Sequence, residues 1–118
     1  MTFQLTEPIL LIGLGGVGAR LAETAKKSLN SDCLLISHDQ KDLTPENSIK
    51  ISTKSVVNPS THLIRGSALE TSDEIKKNIA NYSTVILISN LAGKAGAGIG
   101  PIISRICKQE QKNLLSFD

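Results

Sequence analysis

At 118 residues and a net charge of +2, the chain has the size of one domain and too little positive charge to track a nucleic-acid backbone. Apolar residues make up 40% and charged residues 20%, the balance of a globular protein with a core of its own. Aromatic residues are only 3% and Trp is absent, so the core is aliphatic and base-stacking surfaces are not expected.

The start, Met1 to Glu7, lacks the basic end and long apolar stretch of a signal peptide. No apolar run approaches the length of a membrane span. Cys33 and Cys107 form no CxxC pair and lie in apolar contexts, which predicts buried, reduced thiols and a cytoplasmic protein. Residues 8–12 predict a strand buried on both faces. A glycine-rich loop follows, Gly13-Leu14-Gly15-Gly16-Val17-Gly18. Val17, Leu21, Ala25 and Leu29 then recur every four residues and predict one apolar helix face. Cys33 to Ile36 predicts a second buried strand, and the polar stretch 38–48 a loop. Ile49, Ile51 and Val56-Val57 suggest an edge strand or hairpin. Asn58-Pro59-Ser60 reads as a turn, and His62-Leu63-Ile64 as a further strand ending at Arg65-Gly66. Thr71-Ser72-Asp73-Glu74 resembles a capping box, within a helix expected over 68–81. Val85 to Ile88 predicts another buried strand. A second glycine segment runs from Gly93 to Gly100, and Pro101 suits the first turn of the helix expected after it. Asn113 to Phe117 reads as a last strand. Strands alternating with helices predict an α/β, Rossmann-like, doubly wound and mostly parallel sheet with helices on both faces.

The two glycine segments carry the chemistry. Glycine permits positive φ and close ligand approach, and successive N–H groups in such turns bind anions. A helix that starts there adds unpaired N–H groups and the positive end of its dipole. Gly13, Gly15 and Gly18 match the dinucleotide fingerprint G-x-G-x-x-G, with Gly16 alongside. Asp39, 21 residues beyond Gly18, stands where an acidic residue holds a ribose hydroxyl in that fold. The same glycines also suit a strand-helix turn that binds nothing. A Walker A motif is absent. His38 and His62 lack a metal-ligand pattern, and Ser37, Ser67 and Ser89 sit in no nucleophile elbow. Asp39 and Asp42 can reach a hydrated Mg²⁺ beside phosphates or be plain solvated acids. Most lysines are scattered and read as solvated surface; Lys94, inside the second segment, is the exception.

A simple dinucleotide fold does not need that second segment. With it, the chain resembles the tubulin and bacterial cell-division (FtsZ-like) GTPase superfamily. The family has a G-x-G-G-x-G first loop, which Gly13 to Gly18 match. Its Asn-Thr-Asp-like segment corresponds to Ser37-His38-Asp39 with Leu43, and its Arg-Gly segment to Arg65-Gly66. Its signature G-G-G-T-G-[TS]-G followed closely by Pro lies on Ala92-Gly93-Lys94-Ala95-Gly96-Ala97-Gly98, with Ile99-Gly100-Pro101 after it. The order is kept over nearly the whole chain.

The resemblance implies a single guanine-nucleotide-binding domain over 1–118 that takes GTP or GDP, with Mg²⁺ as a candidate companion. The family's central helix, acidic activating loop and C-terminal domain are expected to be missing. It further implies a cytoskeletal or cell-division protein that self-assembles when complete. The nucleotide would meet Gly13, Gly15, Gly16, Gly18, Arg20, Asp39, Arg65, Gly66, Gly93, Lys94, Ala95, Gly96, Ala97 and Gly98. The chain departs from the family pattern where Ala95 and Ala97 replace hydroxyl residues, Lys94 a glycine, Arg20 an asparagine and His38 a threonine. Neutral donors are exchanged for cations able to pair with phosphate. Hydrolysis is therefore expected to be weak or absent, and whether the chain is an enzyme stays open. An NAD(P)- or FAD-binding Rossmann domain and a nucleotide-free interaction module of the same fold are the alternatives.

Overall fold

The computed structural model describes residues 8–16, 18, 20, 22, 24–25, 31–37, 48–50, 60–89 and 94–117. Its strands are β1 (Ile9–Leu14), β2 (Asp32–Ser37), β3 (Ser48–Lys50), β4 (Thr84–Ile88) and β5 (Asn113–Phe117). They form one sheet in the order β3-β2-β1-β4-β5, with every neighbouring pair parallel. Leu11 of β1 lies opposite Cys33 of β2 and Ile86 of β4, so the most apolar strands occupy the centre. Helix α1 is helical at every described position from 15 to 25. Helices α2 (Thr61–Glu70), α3 (Ser72–Ile79) and α4 (Lys94–Gln109) follow.

Period-two alternation sorts each strand between two cores. Leu10, Ile12 and Leu14 of β1 pack with Ile64 and Ala68 of α2, Ile75 and Ile79 of α3, and Ile99, Ile103 and Ile106 of α4. Leu11 joins Cys33, Leu35, Ile86 and Ile88 beneath Ala22 and Ala25 of α1. Among the described residues, one helix thus covers one face and three cover the other. Both cysteines are buried, one in each core, and neither forms a disulfide. Burial pushes the Cys107 thiol up to about 11, against a smaller opposing effect of Lys112, so it is inert near neutral pH.

The strand expected at 62–64 is instead the first turn of α2, and the helix expected over 68–81 is two helices. Ser60 starts α2 by accepting a hydrogen bond from the Leu63 N–H at 3.2 Å. Ile64 and Ala68, four apart, then bury one face against the core, which is a helical spacing. At Thr71 the chain tightens, with its N–H donating to the Ala68 carbonyl. Thr71 does precede α3, but its hydroxyl donates back to the Ser67 carbonyl at 3.0 Å and makes no cap. Asp73 and Glu74 in the first turn of α3 and Lys76 and Lys77 in its last complement the helix dipole. Ile51, Val56 and Val57 lie outside the described residues.

At the amino edge of the sheet, the Tyr82 hydroxyl donates to Asp32 Oδ2 at 2.5 Å and ties the approach to β4 to the start of β2. That bond, then burial and the Asp32 charge, push the Tyr82 hydroxyl from 10.0 up to about 12. Because the folded value is the higher one, the contribution is complete below pH 10 and is lost as pH rises through 12. Tyr82→Phe is expected to be less stable than the parent at pH 8, with the gap closing near the alkaline end. Urea midpoints across that range measure it.

Candidate functional site

The strand order reverses direction between β1 and β4. The chain moves outward through β2 and β3, then returns to the other side of β1 for β4 and β5. Helix α1 leaves β1 on one face, and α4 leaves β4 on the other. This is the switch point where open parallel sheets leave a crevice at their carboxyl ends. Both glycine segments emerge there. Gly13, near the end of β1, lies directly opposite Ile88, the last residue of β4.

The first segment turns as tightly as its glycines allow. Gly15 takes φ +70°, a backbone state that side chains resist. A Cβ on Gly13 would stand 2.5 Å from the Gly18 carbonyl oxygen and 2.9 Å from the Ala22 Cβ. A Cβ on Gly18 would strike the Ile88 carbonyl oxygen. The first turns of α1 therefore rest directly on the β1–β4 seam. The leading N–H groups of a helix, here those of Gly15, Gly16 and Gly18, have no acceptor within the helix.

The second segment forms the first turns of α4, a 16-residue helix that begins at Lys94. The sequence places Pro101 at a helix start, but the helix begins seven residues earlier and Pro101 lies inside it. Gly98 is buried where α4 meets α2: a Cβ there would lie 3.0 Å from Ile64 Cγ2 and 3.2 Å from the Thr61 carbonyl oxygen. Gly100 sits over Leu14 of β1, which brings the start of α4 above the carboxyl end of that strand. The two segments thus converge on one sheet edge, as their order in the sequence implies.

Arg65 and Gly66 occupy the middle of α2 rather than a loop or a strand end. The Arg65 guanidinium donates to the Ala97 carbonyl of α4 at 3.4 Å. Gly66 is exposed, and a Cβ added there would meet nothing within 4 Å, so neither packing nor backbone strain demands glycine. Gly66→Ala is accordingly expected to raise stability by about 0.5–1 kcal/mol through helix propensity, read from urea unfolding. Arg20 is exposed on α1. Asp39, Leu43 and Gly93 lie outside the described residues, as do Asp42 and His38. Among the described residues no group of His, Cys, Asp or Glu could hold a metal ion.

Beside the second segment, between α4 and the ends of β4 and β5, lies a cavity of about 410 Å³. It is lined by Leu87, Ser89, Gly96, Ala97, Gly100, Pro101, Ser104 and Ser116. That volume is in the range of small-ligand pockets. Sequence reasoning passes over Ser104 and Ser116; Ser89, a polar residue directly after an apolar strand, is the one visible signal. No helix among the described residues is long and apolar enough to cross a membrane.

No protein-family model matches the sequence, and no curated protein matches it. Solved structures do. An FtsZ from M. jannaschii, an empty dimer, superposes with a TM-score of 0.77 at 23% identity over 92% of this chain and 34% of its own. CetZ from Methanosaeta thermophila gives 0.73 at 14% identity, over 92% of this chain and 35% of its own. TubZ of Clostridium botulinum phage c-st gives 0.71 at 19% identity, over 92% and 38%. The chain thus spans a little over a third of the length of each of these proteins. Its five parallel strands, the placement of its helices and these superpositions give it a tubulin/FtsZ-like, Rossmann-like α/β fold.

Proposed function

We propose that this chain is a guanine-nucleotide-binding domain of a divergent FtsZ-like cytoskeletal or cell-division protein. Its two glycine segments hold the phosphates of GTP or GDP. The observation that carries the proposal is the pairing of Gly13 with Ile88, which brings both segments to the switch point of the sheet. In this reading the amides around Gly15, Gly16 and Gly18 and those of Lys94, Ala95, Gly96 and Ala97 face the phosphates, and Gly13, Gly93 and Gly98 shape the two turns. The Arg20 and Lys94 side chains add charge, Asp39 sits by the phosphates or a Mg²⁺, and Arg65-Gly66 stands behind the second turn. Hydrolysis is weak or absent, in keeping with the alanines at 95 and 97, and self-assembly belongs to a complete protein. The packing of Gly18 against β4 also suits the third glycine of a dinucleotide fingerprint, which keeps NAD as the competing ligand.

Thermal melts with GTP, GDP, ATP and NAD, each with and without Mg²⁺, separate the readings. A ligand at 100 times its Kd stabilises by about 2.7 kcal/mol, a shift of several degrees for a domain of this size. The shift is expected with the guanine nucleotides. A shift with NAD alone contradicts the proposal, and no shift with any of them leaves the interaction module as the better account.

A further inference from the structure

Proline has no N–H, so Pro101 cannot make the helical bond to the carbonyl four residues back, which is that of Ala97. Its ring also crowds that carbonyl. The break falls between the first turn of α4, which carries Lys94 to Ala97, and the body of the helix. Into this gap comes a donor from another element. The Arg65 guanidinium, 32 residues earlier on α2, donates to the same Ala97 oxygen. At the next residue, Gly98 lets α4 approach α2 closely enough to touch Ile64 and the Thr61 carbonyl.

We infer that Arg65 is a positioning residue: it replaces the hydrogen bond that Pro101 removes and fixes the pose of the first turn of α4 against α2. A guanidinium suits the task, because it stays charged and carries five donors in a rigid fork. It acts through the Ala97 carbonyl and does not touch the ligand. The consequence for binding rests on the guanine-nucleotide reading given above; the mechanical coupling of Arg65 to Pro101 does not.

A double-mutant cycle tests it. Arg65→Met keeps the length and apolar stem of the side chain but removes the donors. Pro101→Ala restores an N–H for the Ala97 carbonyl. Melting temperatures are measured without nucleotide for the parent, both single variants and the double variant. Arg65→Met is expected to lower the melting temperature by about 4 °C when Pro101 is present. In the Pro101→Ala background the same change is expected to lower it by less than about 1 °C, because the carbonyl already has its partner. Arg65→Lys, which keeps one donor, is expected to recover part of the loss. Equal losses in the two backgrounds overturn the inference. Where GDP binds the parent, Arg65→Met is further expected to weaken GDP about 5-fold, and the double variant to bind near the parent level. A double variant that stays as weak as Arg65→Met assigns Arg65 to direct ligand contact and overturns the inference. If GDP does not bind the parent, the nucleotide reading fails, while the nucleotide-free cycle still decides the role of Arg65.

Discussion

Gly18→Ala is expected to remove about 3–5 kcal/mol of stability, a large part of the roughly 5–15 kcal/mol typical of a single domain. The new methyl would meet the Ile88 carbonyl oxygen, which belongs to the backbone of a central strand and cannot rotate aside. Relief requires α1 to lift from the sheet or β4 to move. A lifted α1 would expose Leu11, Ala22 and Ile88, all buried in the core beneath it. The gain in helix propensity from glycine to alanine, about 1 kcal/mol, is too small to offset this. Urea unfolding followed by circular dichroism measures the loss. A midpoint close to that of the parent would mean that α1 does not rest on the β1–β4 seam.

The second large effect is expected from Ile12→Ala, at about 2–5 kcal/mol. Ile12 is fully buried at the centre of β1, between Leu34 of β2 and Leu87 of β4. It faces the core shared by α2, α3 and α4, so truncation leaves a void bounded by three helices and the sheet. The hydrogen-bonded strands on either side keep the backbone from collapsing into that void, which places the cost toward the upper end. Ile12→Val removes one methylene and is expected to cost only about 0.5–1.5 kcal/mol. The same unfolding curves distinguish the two. Equal, small losses for both would show that α4 does not pack over β1.

The parallel sheet was legible because buried strands are short, continuous apolar runs. Strands β1, β2 and β4 were recognisable from such runs without any partner in view, and β5 from Leu114, Leu115 and Phe117. Helix α2 was not. His62-Leu63-Ile64 looks like a strand locally, and only the spacing of Ile64 to Ala68 beneath α4 favours the helix. Gly66 resembles a terminator in sequence, yet it sits in mid-helix with open space around it. Pro101 resembles a helix start for the opposite reason: the defect it makes is met by Arg65, far away in sequence. The end of α4 is equally hidden. Gln111, not glycine, takes φ +57° there, while the Lys112 N–H bonds the Cys107 carbonyl and the Gln111 N–H that of Lys108.

The glycines of the site were visible, but their separate tasks were not. Composition and spacing suit both ligand approach and a bare strand-helix turn. Gly13, Gly18 and Gly98 are needed for contact with Ala22, Ile88 and Ile64, and Gly15 for its positive φ. Such packing needs no ligand, so glycine content alone does not distinguish a phosphate cradle from a compact turn. What supports the cradle in the proposed reading is the convergence of two helix starts on adjacent strands, which depends on the sheet order β2-β1-β4.

The most direct test of the account is therefore a titration of the ¹⁵N-labelled chain with GDP, followed through its backbone amides. Saturable shifts are expected at Gly15, Gly16 and Gly18 and, with the same apparent Kd, at Gly96, Ala97 and Gly98. Shifts confined to one of the two segments, or saturable shifts elsewhere with both segments silent, would contradict the claim that they hold one nucleotide together.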